Sequence, residues 1–448
     1  MLTIVARYLS FLNTWFLSPV ATSILLVAGA VLFYRLKEFK LYNPTVVARL
    51  MYDKTIEKRH NPIKALTLAL AGTLGVGNIS GVAVALAFGG AGAVFWMWIS
   101  AFFAMTVKYS EIVLAVRFRE KKNSTYHGGA MYYIKKGLNS KGSGRTLAFL
   151  FAVLCILSSL STGSVIQVSA VSEAFKGCFG VPPIVVGILM ALLCSWALCS
   201  KKKHMISDIT IKLVPFMSGI FITLSMIIII GNLKILPHIF GIIIEDAFTP
   251  DSAIGGIGGF FFSKGIRFGV TKGLFSNEAG CGTSTIAHAS EDTISARSQG
   301  AWGIFEVFFD TIILCTMTAL VLLICYGNNV PTTGGGVMVT LAAYHSSLGW
   351  VAKDTLAISI FLFAFATVIC WAYYGCECVY FISKKPWLKY TYLSIYIISL
   401  IYGAVAPSSF IWELADSSIC VMLTLNTLCV LFMSDKVVQI TKNKDLVC

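Results

Sequence analysis

Four polar side chains of this chain fall where a bilayer would put hydrocarbon around them. Asn78 interrupts GTLGVGNISG, residues 72–81, within an apolar run from Leu66 to Ala87. Ser276, Asn277 and Glu278 interrupt RFGVTKGLFSNEAGCGTSTIAHA, from Arg267 to Ala289. An asparagine or glutamate inside a membrane span costs roughly a few kcal/mol unless it is paired or functional. Both stretches are also rich in glycine, which weakens a helix and leaves backbone groups that must find partners. Broken backbone is tolerated at membrane depth only where protein surrounds it or a cavity adjoins it. The chemistry indicated is therefore that of a binding site at the broken backbone rather than of close helix packing.

The elements that position these residues are apolar helices. The chain is 57 % hydrophobic and 12 % charged, with mean hydropathy +0.80, about half the charge of a soluble domain. Apolar runs predict eleven spans at about 12–34, 63–88, 93–116, 146–174, 183–200, 207–231, 256–288, 299–326, 353–381, 389–406 and 411–432. They lack the alternation of a β-barrel, so the class is an all-α polytopic membrane protein embedded in the lipid bilayer. The first run is too long for a signal-peptide core and reads as a retained span. Basic residues then sort by side. Arg35 to Lys64, Arg117 to Arg145, Lys201–Lys203 and Lys384–Lys389 follow spans 1, 3, 5 and 9, while the alternate loops are nearly free of them. That alternation predicts an outside N-terminus and a cytoplasmic C-terminus, and it explains the net charge of +14 as topology. Nucleic-acid binding is therefore not expected.

Two long outer loops, 232–255 and 327–352, read as short interfacial helices or lids. The thirteen cysteines lie mostly within spans and read as small hydrophobes; the pair Cys376 and Cys378 lacks the second pair and histidines of a zinc site. No H-E-x-x-H, G-x-S-x-G or Walker A signature is present, so no enzyme is indicated. Gly75-x-Gly77-x-x-x-Gly81 imitates a dinucleotide fingerprint without its strand or βαβ unit. Gly81, Gly89 and Gly92 are read more simply as helix-packing glycines.

The two broken stretches open spans 2 and 7, five spans apart. An odd number of spans inverts the second repeat, so spans 2–6 and 7–11 suit an inverted five-plus-five repeat after one extra helix. Discontinuous helices at matching positions of two such halves point to a solute-binding site. The expected organisation is 1–62 for the extra helix and a cytoplasmic loop, 63–232 for the first repeat, 233–255 for an outer loop, 256–435 for the second repeat and 436–448 for a tail.

The blocks GTLGVGNISGVAVAL, GAVFWMWISAFFAMTVKYSEIVLAVRFRE, HGGAMYYIKKGL, KGLFSNEAGCGTSTIAHAS and FAFATVICWAYYG resemble the alanine or glycine:cation symporter family, in order, over about residues 12–435. The resemblance implies a leucine-transporter-like fold in a bacterial cytoplasmic membrane. It implies symport of small neutral amino acids such as alanine or glycine with sodium, the proton being the alternative coupling ion, and no further cofactor. It places Thr73, Gly75 and Gly77 around the substrate carboxylate and turns the Asn78 amide and Gln167 to the substrate. Ser276, Asn277 and Gly280 line the second break, and Trp371 closes the pocket. The carbonyls of Ala71 and Leu74 and the Thr367 hydroxyl face sodium.

The chain departs from the family pattern at several places. Cys281 stands where a methionine is usual and Thr285 where a proline is; Ala366 replaces a second hydroxyl beside Thr367, and Glu377 follows Cys376 where a glutamate is usual. A smaller wall at Cys281 leaves open a larger neutral amino acid or another small zwitterion, since one or two methylenes carry only about 1–3 kcal/mol of discrimination. Glu278 is open among a proton carrier, a gate partner for Lys264, Arg267 or Lys272, and a helix-terminus anchor, with a structural or gating role preferred.

Overall fold

The computed structural model describes residues 2–52, 62–122, 125–138, 142–199, 205–248, 264–290, 295–406 and 408–442. Helices occupy almost all of them, with one two-stranded antiparallel hairpin pairing Glu120–Lys122 with Thr125–His127. Among the described residues eight helices are long and apolar enough to cross a membrane, nine when the bent pair Ile63–Thr73 and Val76–Gly89 is taken as one span. A shorter apolar helix, Pro183–Leu198, and the broken pair Lys264–Asn277 and Ser284–Ser290 stand where spans 5 and 7 are expected. Most of the tail 436–448 folds as the end of a helix, Ser434–Lys442, and the outer loop 233–255 holds the helix Leu236–Ala247.

Gly92–Phe118 is the central strut. It packs on both halves of the second broken helix, on Ala296–Val307, and on Ser18–Leu36. Its apolar face is buried almost throughout, yet it carries Lys108 and Glu111 inward. The helix starts where Gly90, at φ 74°, turns the chain, and Leu236–Ala247 seats against that start. A Cβ on Gly92 would overlap the backbone of Ala247, so this glycine serves close packing, as expected. Gly81 differs: a Cβ there meets no atom within 4 Å, and the residue faces a cavity. The packing assignment for Gly81 is corrected on that ground, because helix contact would have placed atoms against it.

Among the described residues three irregular turns lie within apolar helices besides the breaks, the first being the π-helical Asn13–Leu17. Ser161–Val165 and Phe308–Cys315 are π-helical, each within an otherwise regular helix. Such wide turns shift side chains around the helix and concentrate at functional sites.

Candidate functional site

The first break bends its helix by 62°. Leu74 still donates to Leu70, but Gly75 is extended, at φ −117° and ψ −160°, and the next residues form one 3₁₀ turn, Val76–Asn78. Several backbone groups near the break are met by side chains from other helices, as burial in lipid demands. Val76 N donates to Gln167 Oε1 at 3.1 Å. Leu74 O accepts from Thr367 Oγ1 at 3.3 Å, and Gly72 O from Trp371 Nε1 at 3.3 Å. Asn78 O accepts from Thr318 Oγ1 at 2.8 Å. Gln167, Thr367 and Trp371 therefore hold the broken backbone in place, and Leu74 O and Thr367, both expected to face sodium, are hydrogen-bonded to each other.

The second break is clasped differently. Glu278 adopts φ 52°, and Gly280 and Gly282 adopt 82° and 76°. Both carboxylate oxygens of the fully buried Glu111 receive this turn: Gly280 N donates to one, and Gly282 N to the other at 3.0 Å. Asn426 Nδ2 donates to Gly280 O at 2.9 Å, and Asn426 Oδ1 in turn accepts from Tyr133 OH at 2.6 Å. Asn277 Oδ1 accepts from Ala279 N at 3.0 Å, while its Nδ2 donates to Thr311 Oγ1 at 3.0 Å. Glu278 Oε2 accepts from Thr283 Oγ1 at 2.5 Å. Lys272 instead pairs with Asp416, at 3.6 Å; the side chains of Lys264 and Arg267 lie outside the described residues. Glu278 is thus bonded within the turn and also lines the cavity between the breaks.

Between the breaks lies a cavity of about 60 Å³. Thr73, Gly75, Gly77 and Gln167 line it, with Thr162 from the π-turn, Ile166, Phe275, Glu278 and Ile419. Of the other expected substrate residues, Asn78, Ser276, Asn277, Gly280, Cys281 and Trp371 surround the breaks without forming its wall. Asn78 Nδ2 donates to Asp310 Oδ1 at 2.7 Å, and Ser276 Oγ to Asp310 Oδ2 at 2.8 Å. Cys281 is buried in the turn, with its amide bonded to Glu278 O. A second cavity of about 680 Å³ adjoins the first, sharing Gly81, Lys272 and Asp416 with it. It is lined by polar groups from Ser10 to Ser18 and by Glu173 and Glu413.

A buried charged group lies beyond the turn. Lys108 Nζ donates to Ser284 Oγ at 2.8 Å and reaches Glu306 at 3.3 Å; Glu306 also meets His288 Nε2 at 3.0 Å. Lys108, Glu111, Glu306 and Asp310 were not singled out from sequence. The signal was there, in the form of ionisable residues within spans 3 and 8.

Comparison with known proteins supplies the family. The model of the sodium:alanine symporter family matches residues 2–445. The sodium/alanine symporter AgcS of Methanococcus maripaludis is 32 % identical over 437 residues, 96 % of this chain and 95 % of that one. A Bacillus subtilis protein named as a probable sodium/glutamine symporter, GlnT, is 31 % identical over 94 % of this chain and 86 % of its own. Among solved structures, MhsT in complex with L-phenylalanine superposes with TM-score 0.58 at 15 % identity, covering 85 % of this chain and 97 % of that one. That likeness gives the leucine-transporter-like fold. With two broken helices meeting at a small buried cavity inside that fold, the chain belongs to the sodium:alanine symporter family and is a sodium-coupled amino-acid symporter, not an enzyme.

Proposed function

We propose that this protein takes up small neutral amino acids, alanine of either hand or glycine, with sodium by alternating access in a bacterial cytoplasmic membrane. The observation that carries this reading is the cavity of about 60 Å³ between the two breaks. A water molecule needs about 10–15 Å³ of such space, so the cavity has room for about five water-sized groups, which suits a zwitterion with little side chain. The backbone at Thr73–Gly77 offers its carboxylate a glycine-lined approach, and Leu74 O with Thr367 and Ala71 O offers sodium hard oxygens. Cys281 stands off the wall, so its smaller side chain does not enlarge this space. No bound cofactor is needed beyond the coupling ion. The inverted repeat over 63–232 and 256–435 supplies two matching half-helices that rock around the site.

Sodium entering down a 100 mV potential releases about 2.3 kcal/mol, and a tenfold gradient adds about 1.4 kcal/mol. One ion per substrate supports accumulation of several hundredfold. The test is uptake of labelled D-alanine, L-alanine, glycine and glutamine into proteoliposomes, with and without an inward sodium gradient. Sodium-driven uptake of the three small solutes and exclusion of glutamine is expected. Uptake indifferent to sodium and to pH gradients overturns symport, and glutamine uptake equal to alanine overturns the size argument.

A further inference from the structure

A groove of about 640 Å³ opens on the flank of the bundle and shares no lining residue with the cavity between the breaks. It lies between Ser18–Leu36, the short helix Pro44–Met51, the strut Gly92–Phe118 and span 8. The first of these helices touches the strut at Gly29, where a Cβ would overlap Phe103, and the groove begins one turn further on, at Phe33 and Phe102. Among the described residues Lys37 is the one charged group that lines it; the walls are otherwise almost wholly apolar. Phe102 and Phe308 are 42 % and 41 % exposed, so the groove opens sideways, where a bilayer lies against these helices. On the strut the lining runs from Thr106 back to Trp98, and on span 8 from Ile304 to Ile312, about 12 Å of helix in each. One leaflet holds roughly 15 Å of hydrocarbon. The groove has the depth and polarity of a seat for an acyl chain, and offers a zwitterion nothing to bond.

The mouth of the groove is basic. Lys37 stands there with its ammonium 4.2 Å from the centre of the Tyr34 ring, and Lys40 ends the same 3₁₀ turn. Both are exposed, and among the described residues neither pairs with a carboxylate, although Glu38 shares the turn. From Arg35 to Lys64 the chain carries eight lysines and arginines against three acidic residues. Such clusters at the end of a membrane helix attract anionic headgroups, each charge adding roughly fivefold to affinity. Pro44–Met51 roofs the mouth. Asn43 Oδ1 caps this helix by accepting from Thr45 N at 3.0 Å, and the face made by Pro44, Val47, Ala48 and Met51 lines the groove. The chain that follows, DKTIEKRHN at 53–61, is too polar to fill the space in place of a lipid.

We propose that this groove holds one acyl chain of an anionic phospholipid, with the phosphate at Lys37 and Lys40. The chain runs inward to Phe308 and Ile312, which flank Asp310 and Thr311 on the same wide turn. Asp310 and Thr311 accept from Ser276 and Asn277 of the second break. The lipid thereby braces span 8 from behind, opposite the groups that hold the break.

Binding of this lipid is independent of which solute is carried, so its test uses no transport. The purified full-length protein in detergent is titrated with phosphatidylglycerol, phosphatidylcholine or glycerol phosphate while its melting is followed. Phosphatidylglycerol is expected to stabilise at concentrations at least tenfold lower than phosphatidylcholine, and glycerol phosphate to have no effect. Lys37→Gln combined with Lys40→Gln is expected to bring the two lipids to within about threefold of each other. Ala48→Trp, which sets an indole in the mouth and leaves every charge in place, is expected to weaken stabilisation by phosphatidylglycerol at least tenfold. Met105→Trp, deeper in the groove, shows the same loss if the first variant does not fold. Equal action of the two lipids on the wild type overturns the anionic site, as does an undiminished preference in the double lysine variant. A folded tryptophan variant stabilised as well as the wild type overturns the groove and reduces the effect to charge attraction at the surface. Stabilisation by glycerol phosphate alone overturns the seat for the acyl chain.

Discussion

At the scale of single residues, the most consequential side chain outside the cavity is Glu111. Its two oxygens take the amides of Gly280 and Gly282, both in the left-handed region, so one carboxylate replaces the helix bonds that the turn gives up. An unsatisfied buried amide costs about 1–3 kcal/mol. Glu111→Ala should therefore lower the thermal stability of the detergent-purified protein by roughly twice that energy. Glu111→Gln should fall between the two, since its amide keeps one acceptor oxygen and presents a donor to the other N–H. Equal melting curves for the three proteins would remove Glu111 from this role. Residues of this kind are only half legible in sequence. Asn78 and Ser276–Glu278 stand out because glycines flank them and no amphipathic pattern explains them. Glu111 is embedded in a regular helical run, and its partners are 169 and 171 positions away. Its chemical type is visible in the sequence; what it holds is not. Asp310 is the same case, with Asn78 232 positions distant.

At the scale of elements, the breaks were read within a few residues because the cause is local: glycine and polar residues where propensity and hydropathy both fail. The helix resumes at Ser80 after the first break and at Ser284 after the second. The π-turns were not legible, since they arise from packing between helices and leave no composition signal. Glycine roles also divide at this scale. A Cβ on Gly75 would lie 3.0 Å from both Gln167 Oε1 and Thr367 Oγ1, the two groups that hold the break. Gly75→Ala should thus cut sodium-driven uptake at least tenfold while the protein still folds. Gly92→Ala drives a methyl group into the backbone of Ala247 and should cost about 1–3 kcal/mol of stability. Gly81→Ala meets open space and should leave melting unchanged. Thermal melts of the three variants beside uptake assays distinguish a site glycine, a packing glycine and a cavity-facing one. Melting of Gly81→Ala as low as that of Gly92→Ala would restore the packing role to Gly81.

At the scale of the whole molecule, charge and cavities divide the protein into two sides. Lysines and arginines cluster in the loops after spans 1, 3, 5 and 9. The large cavity lies toward the other side, between the first helix, Glu173, and the helix bearing Glu413 and Asp416. On the basic side the strand pair Glu120–Lys122 and Thr125–His127 closes onto the end of Trp350–Ile382. There His127 Nδ1 meets Glu377 at 2.9 Å, and its ring stacks on Tyr380 at 4.5 Å. Deeper in, Trp371 is bonded to Gly72 and packed over Gly163. The way to the site is thus lined on the acidic side and sealed on the basic one. Positive charge is expected to mark the cytoplasmic face, and on that expectation we propose that the large cavity is the outer vestibule. Val84 lies on its wall and is none of the ion or substrate groups named above. A Val84→Cys variant should lose uptake when a membrane-impermeant thiol reagent is added outside right-side-out vesicles, with the wild type as the control for its native cysteines. Excess alanine with sodium should slow that loss, because a filled site favours closure of the vestibule. Inactivation only from the inside of the vesicle would reverse the assigned orientation, and with it the direction in which the two half-helices must open.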